Sequence, residues 1–315
     1  MSRTGPGEQP ASSRAASDPA ADAGSAPRIS VVIASYNCAD CIPAAIASVR
    51  AQTWPGARII VVDDDSTDET ASLLAPLAAR GELTYLRVSH RGCGAARNAG
   101  IRASEDGLIA LLDADDTFEP DALRVMVATL QASPEAGFCI TDVARVYPDR
   151  TELRSGRPPE GDLLLALLRK NFIEGNNLFR RKALLDVGLF DESLQNLEDW
   201  ELYIRLLVHG IRPVYVAGAW YRYVLRGTSN TRDLRGIAEA KRQILEKHHK
   251  RMADEGVPGL RAIYADQMWW LARMYFYQLH QPVRALRCLL EGFSYDPDPR
   301  RLLRTIRTKL GGPRG

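Results

Sequence analysis

ISVVIASYN (29–37), RIIVVDDDSTDET (58–70) and LIALLDADD (108–116) decide the fold. Each starts as a short run of aliphatic, mostly β-branched residues and ends in a polar turn. Helical stretches follow the first two, to about Gln52 and about Arg80. LTYLRV (83–88) and GAARNAGIRAS (94–104) repeat the same strand-then-helix order. Short apolar strands alternating with helices indicate βαβ units and a parallel sheet. Runs that are apolar at nearly every position fit strands covered on both faces. The expected class is α/β: a mostly parallel sheet with helices on both faces, plus a C-terminal helical extension.

Outward from this frame, residues 1–27 are Ala, Ser, Pro and Gly with scattered charge, too apolar-poor to offset the entropy of ordering, and are expected to be a disordered tail. They lack the hydrophobic segment of a secretory signal. No apolar stretch approaches the roughly 20 residues that cross a bilayer. GFCITDVARVYP (137–148) reads as one or two strands, LLLALLRK (163–170) as a short helix, and EDWELYIRLLVH (198–209) as an amphipathic helix. RPVYVAG and AWYRYV (212–224) read as late strands. The chain then turns helical from about Thr231, with breaks at Pro258 and Pro282. The expected division is 1–27 tail, 28–228 main domain with halves 28–117 and 118–228, and 229–315 helical region.

Composition excludes some classes. Hydrophobic content of 45% and charged content of 25% suit a globular core, and a net charge of +2 is too small to imply nucleic acid as a partner. Five cysteines, an odd number in a long chain, argue against a disulfide framework and for a reducing compartment. Cys38 and Cys41 have CxxC spacing without a second pair and read as incidental.

Ligands of an open parallel sheet bind beyond the carboxyl ends of its strands. Three polar clusters stand there: Ser35, Tyr36 and Asn37; Asp63, Asp64, Asp65 and Ser66; Asp113, Asp115 and Asp116. Several carboxylates in one crevice repel one another and call for a cation. Oxygen ligands suit Mg²⁺ or Mn²⁺, and Mg²⁺ commonly bridges one or two carboxylates to substrate phosphates. A metal-bridged diphosphate, with the base and ribose of a nucleotide on the remaining aspartates, is the expected ligand. Polar turns alone would explain one such cluster, but three at three strand ends favour function.

These motifs, with GCGAARNAG (92–100) and NLFRRKALLDVGLFDESLQNLEDWELYIRLLVHG (177–210), resemble in order and spacing the family 2 glycosyltransferases of the GT-A fold. The resemblance covers about residues 28–225. It implies an inverting transfer from a nucleoside-diphosphate sugar (UDP-, dTDP- or GDP-linked) to a glycan or lipid-linked acceptor, commonly in envelope polysaccharide assembly. By the same resemblance, Asp64 contacts the base with Asp63 beside it. Asp113 and Asp115 frame the DxD motif for ribose and metal, and Asp115 and Asp116 hold the ion. Arg97 and Asn98 lie near the nucleotide. Asp199 is the general base, with Glu198 beside it, facing elsewhere on the helix and supporting the loop or the acceptor. Asp65 departs from the pattern, which more often has a small residue there.

Two rivals stand beside this. LLDADDT (111–117) fits the DxDxT of haloacid-dehalogenase phosphatases, although that motif normally follows a first strand. A non-catalytic nucleotide-sugar-binding protein is the other. His90 reads as a surface histidine, with phosphate contact as the alternative. Met268, Trp269, Trp270, Met274, Tyr275 and Tyr277 read as core, and residues 271–297 as a single tetratricopeptide-like helix pair packed on the domain. The tail after Asp298, with Arg300, Arg301, Arg304, Arg307 and Lys309, is an amphipathic basic segment suited to peripheral contact with an anionic membrane, or equally a solvated helix end. The expected location is the cytoplasm or the inner membrane face.

Overall fold

The computed structural model describes residues 27–175, 177–225, 233–254 and 256–300. The expected tail 1–27, apart from its last residue, and the basic segment beyond Arg300 lie outside them. The chain runs β1 (Ile29–Ser35), α1 (Ile42–Arg50), β2 (Arg58–Asp63), α2 (Thr70–Ala79), β3 (Thr84–Arg87), α3 (Cys93–Ala103) and β4 (Leu108–Asp113). It continues through β5 (Thr117–Phe118), α4 (Ala122–Ala132), β6 (Ala136–Val146), β7 (Thr151–Arg154), α5 (Leu163–Arg169), β8 (Leu178–Arg180), α6 (Arg181–Asp186), α7 (Glu198–Val208) and β9 (Arg212–Val224). Helices α8 (Leu234–Asp254), α9 (Leu260–Arg273) and α10 (Pro282–Tyr295) follow, with a π-helical turn at Met274–Gln278 between the last two.

The strands form one sheet in the order β3-β2-β1-β4-β8-β6-β9-β5, with β7 on β6. The first four are parallel, as their apolar runs predicted. The second half is mixed: β8 is antiparallel to β4 and β6, and β9 runs parallel to β6 and antiparallel to β5. Alternate residues feed two cores. Val32, Ile60, Val62, Ile109 and Leu111 point to the face covered by α3, α5–α7 and the C-terminal helices. Val31, Ile33, Ile59, Val61, Leu108 and Leu112 point to the face covered by α1, α2 and α4. Burial on both faces is why these strands carry almost no polar residue before their last position.

Residues 212–224, read as more than one strand, form a single strand. Val216 pairs with Thr141 and Ala219 with Asp142, so Ala217 and Gly218 are extruded as a bulge. The carboxylate of Asp142 accepts the Gly218 N–H there, and Gly218 has φ 110°, which glycine adopts freely.

The C-terminal helices share the core of the α7 face. Glu201 of α7 is fully buried and accepts from Arg205 (2.8 Å), Lys247 (2.7 Å) and His248 (3.0 Å), tying α8 to α7. Burial opposes its ionisation, but those bonds hold its carboxyl down at about 2. Gln267 of α9 donates to the carbonyls of Leu168 and Arg169 at the end of α5. Met268, Trp269, Met274 and Tyr275 are buried as expected, but Tyr277 is 44% exposed, because the wider π-helical turn rotates it out of the helical stripe. No helix among the described residues is long and apolar enough to cross a membrane.

Candidate active site

The strand order reverses between β1 and β4, and that places a crevice at their carboxyl ends. Register aligns its edge: Ser35 pairs with Asp63 and Ala34 with Asp113. The last residues of β1 and β2 therefore share one level, and the last residue of β4 stands one residue short of it. Ser35 is buried, and its hydroxyl has no hydrogen-bond partner. Such an orphan at a sheet edge needs a ligand or water to complete it.

The β1 and β2 turns are sewn together. Asn37, at φ 47°, donates its backbone N–H to Ser66 Oγ (2.9 Å), and its side-chain oxygen accepts the Thr67 N–H (2.8 Å). Asp63 is fully buried and accepts from Ser66 N (2.8 Å) and the Tyr85 hydroxyl (2.6 Å). Burial first, then this bond, raises the Tyr85 hydroxyl to about 12. Asp64 accepts the backbone N–H groups of Arg91 (2.9 Å) and Gly92 (2.8 Å), one on each oxygen, fixing the entry to α3. Gly92 has φ 93°, a conformation in which a side chain is strained. Asp65 has φ 64°, which explains why a small residue is more usual there. Asp tolerates the left-handed region, and its carboxylate leaves the crevice to pair with Arg87 at 2.8 Å.

His90, read from sequence as a surface residue, is exposed as expected and lies against the β1 and β2 turns. Its Nδ1 lies 3.0 Å from both the main-chain oxygen and the carboxylate of Asp64, and its ring stacks on that of Tyr36 at 4.2 Å. The available signal was its position just past β3, the strand-end position of the other clusters.

The β4 turn divides its acids. Asp113 is 28% exposed and pairs with Arg97 at 2.7 Å. Asp115 is half-buried. Asp116, expected beside Asp115 on an ion, is fully buried. It accepts the Tyr221 hydroxyl and the Val224 N–H (2.8 Å), locking the turn to β9. Burial, then the fields of Asp113 and Asp115, raises its carboxyl to about 8. Neither Tyr221 nor Val224 carries a sequence cue, because the contact spans more than 100 residues.

Across the crevice, α7 opens on Glu198 and Asp199. Leu197 before them has φ 59°, a strained value for a branched residue. Glu198 accepts Arg97 Nη1 at 2.9 Å. Asp199 accepts the Trp200 N–H (2.7 Å). Burial, then the charge of Glu198, lifts Asp199 to about 6, although Arg97 opposes the rise. The helix end was expected to favour its ionised form; desolvation outweighs that. Arg97 and Asn98 are 4% and 1% exposed, and Asn98 is bonded to Phe190 and Glu192.

Cys38 and Cys41, read as incidental, are joined in a disulfide. The turn entering α1 brings their Cα atoms to 5.3 Å, within bonding range. With Asp40 they are the one compact group of three candidate metal-ligating residues among the described residues, but two of its donors are bonded to each other. The β4 turn presents no such ready-made cluster. Its oxygen donors fit a hard ion completed by phosphate oxygens.

Residues 30–188 match the profile of Glycosyl transferase family 2. The succinoglycan biosynthesis protein ExoO of Rhizobium meliloti is 36% identical over 223 residues, 66% of this chain and 64% of that protein, so the match spans slightly under two thirds of that relative. ExoU of the same organism is 33% identical over 244 residues, 69% of each chain. Among solved structures, Staphylococcus aureus TarS 1-349 in complex with UDP-GlcNAc gives a TM-score of 0.57 at 17% identity, covering 87% of this chain and 92% of that one. The mannosyltransferase PcManGT of Pyrobaculum calidifontis, in complex with GDP-Man and Mn²⁺, gives 0.56 at 19%, covering 89% and 79%. At these identities the structures establish the shared fold. The profile and the relatives establish more: this chain belongs to glycosyltransferase family 2, and it is a glycosyltransferase.

Proposed function

We propose that this enzyme transfers a sugar, with inversion, from a nucleoside-diphosphate sugar to a hydroxyl of a glycan or glycolipid acceptor. The observation that carries this reading is the junction of the two halves: Arg97 joins Asp113 of the donor turn (2.7 Å) to Glu198 (2.9 Å), and the carboxyl of Asp199, the next residue, is lifted to about 6. A base of that strength is ionised near neutral pH and still accepts a proton as the acceptor oxygen attacks. One carboxylate suffices for an in-line displacement, which inverts the anomeric carbon.

The donor half supplies Ser35, Tyr36, Asp64, Asp113 and Asp115. The exposed Tyr36 ring, backed by His90, offers a face for the base. Ser35 brings an unpaired hydroxyl, and Asp113 would take the ribose. Asp115 would hold Mn²⁺ or Mg²⁺, which when bound neutralises the diphosphate and eases its departure. Asp63, Asn37 and Asp116 shape the turns that present these groups. The relatives' part in succinoglycan biosynthesis and the UDP-GlcNAc and GDP-Man seen in structural neighbours support a nucleotide-sugar donor and a polysaccharide-type acceptor. The basic segment beyond Arg300 would add peripheral contact with an anionic membrane.

A thermal-shift screen of UDP-, dTDP- and GDP-sugars, with and without Mn²⁺, tests the reading. One nucleotide class should stabilise the protein, and more so with metal, because ligands that bind only the folded state raise its stability. Absence of any shift with every donor, or release of phosphate from simple phosphomonoesters, would overturn it.

A further inference from the structure

We infer that Arg97 and Asn98 are positioning residues that clasp the two halves of the enzyme and set the base-bearing helix against the donor turn, instead of acting as nucleotide ligands. The inference rests on the function proposed above, since it concerns how Asp199 is placed.

Both side chains leave α3 toward the segment that leads into α7. Asn98 grips Phe190 by its main chain: Nδ2 donates to the Phe190 carbonyl (2.9 Å), and Oδ1 accepts the Phe190 N–H (2.9 Å). Its second amide hydrogen goes to Glu192 Oε1 (2.9 Å). An asparagine amide has two donors and one acceptor oxygen. Both donors are spent on this segment, and the residue is 1% exposed.

Arg97 makes the complementary contact. Nη2 donates to Asp113 Oδ1 at 2.7 Å and Nη1 to Glu198 Oε1 at 2.9 Å, while the guanidinium lies over the Phe190 ring, 5.3 Å from its centroid. One planar cation thus joins the last residue of β4 to the first residue of α7, the neighbour of Asp199. The fork of Arg can hold two carboxylates at once, and the ammonium of Lys cannot reproduce that geometry.

The platform is itself rigid. At Gly100, α3 packs so closely on Val32 of β1 that a Cβ would collide. On its far side α7 is held to α8 by Glu201. Outside the clasp, Arg91 and Arg102 reach Glu192 at 2.8 and 3.2 Å, but these exposed arginines add little. Lys247 on Asp191 (2.6 Å) and the buried Phe190 and Leu194 also anchor the segment 190–198 on the α8 side, and Arg97 and Asn98 are the buried side chains of α3 that tie it to the donor half. Base and donor must be aligned to well under an ångström for reaction, and a misplacement of that size can cost roughly 10²-fold in rate.

The test compares Arg97→Lys and Asn98→Ala with wild type. Affinity for UDP and for GDP with Mn²⁺ is measured by calorimetry. Turnover is measured as nucleoside diphosphate released from the matching sugar nucleotide at saturating donor. Backbone hydrogen exchange of residues 190–198 is followed in the same samples. A clasp predicts affinities within about threefold of wild type, turnover lowered roughly 10- to 100-fold, and faster exchange confined to 190–198. A nucleotide contact, made for example through the buried unpaired Nε of Arg97, predicts the reverse: lost affinity with turnover at saturation kept. That result, or unchanged exchange and turnover, overturns the inference. If Asn98→Ala does not fold, Glu192→Gln weakens the same contact from the other side and is read by the same split. If wild type binds neither nucleotide, the proposed function is at fault. The clasp is then decided by hydrogen exchange, which needs no ligand.

Discussion

Replacing Asp199 by Asn separates catalysis from stability, because the structure predicts opposite signs for the two. The carboxyl is lifted from 3.8 to about 6, chiefly by burial and then by Glu198. A shift of that size corresponds to roughly 3 kcal/mol against the ionised form in the folded state. A carboxyl with a raised folded value contributes stability below its unfolded value and loses it as pH rises through the folded one. Asp199→Asn removes that cost while keeping the shape, so the variant should melt higher than wild type at pH 7.5 and show little difference at pH 4. Turnover should fall by roughly 10²–10⁴, the usual share of a general base, with donor affinity unchanged. Wild-type turnover at saturating donor should decline as pH falls through about 6, losing roughly tenfold between pH 7 and pH 5. The assays are thermal denaturation at the two pH values, nucleoside diphosphate release across pH 5–8, and calorimetry with the donor. A variant that keeps most of its turnover refutes Asp199 as base. If Glu198→Gln instead abolishes turnover, leaving affinity intact, the base is Glu198. If donor affinity collapses in Asp199→Asn, the residue belongs to the donor site.

Three further outcomes follow from the same contacts. Glu201→Ala leaves Lys247, His248 and Arg205 without their shared buried acceptor and should destabilise the fold by about 3–5 kcal/mol, read by urea denaturation. Because Glu201 titrates at about 2 when folded, its contribution is present above pH 4.5 and should fade as pH drops toward 2, a trend absent in Glu201→Gln. Asp115→Ala should weaken Mn²⁺-dependent nucleotide binding and transfer while leaving the melting temperature close to wild type; full activity in excess EDTA, with no metal retained, would count against the metal role. Asp65→Gly trades an exposed pair with Arg87 for a relaxed left-handed turn and should change stability by less than about 1 kcal/mol by chemical denaturation.

Much of the fold was legible because β1, β2 and β4 are buried on both faces, and almost only apolar runs survive that environment. The turns were legible for the same reason: polar residues resume where each strand leaves the core, which is the edge where ligands bind. The breaks at Pro258 and Pro282 were readable from backbone chemistry alone, since α9 and α10 begin at or just after them. The second half was less legible. β8 has three residues and β9 is interrupted by a bulge, so neither carries enough periodicity to fix its partner or direction.

By itself, then, the sequence determined the βαβ frame and the standing of Ser35, Asp63 and Asp113 at strand ends, because these follow from local patterns of burial and charge, while Asp199 became a candidate through the family resemblance of its motif. Only the tertiary structure decided how the acids divide their work. Asp116 turns inward because Tyr221 and Val224, more than 100 residues away, meet it there. Asp65 turns outward to Arg87, and His90 is drawn in by Asp64 and Tyr36. The Asp199 carboxyl is raised to about 6 because burial disfavours its charge and the fold sets Glu198 alongside. Desolvation and long-range hydrogen bonds depend on which surfaces meet, and no window of sequence contains that information.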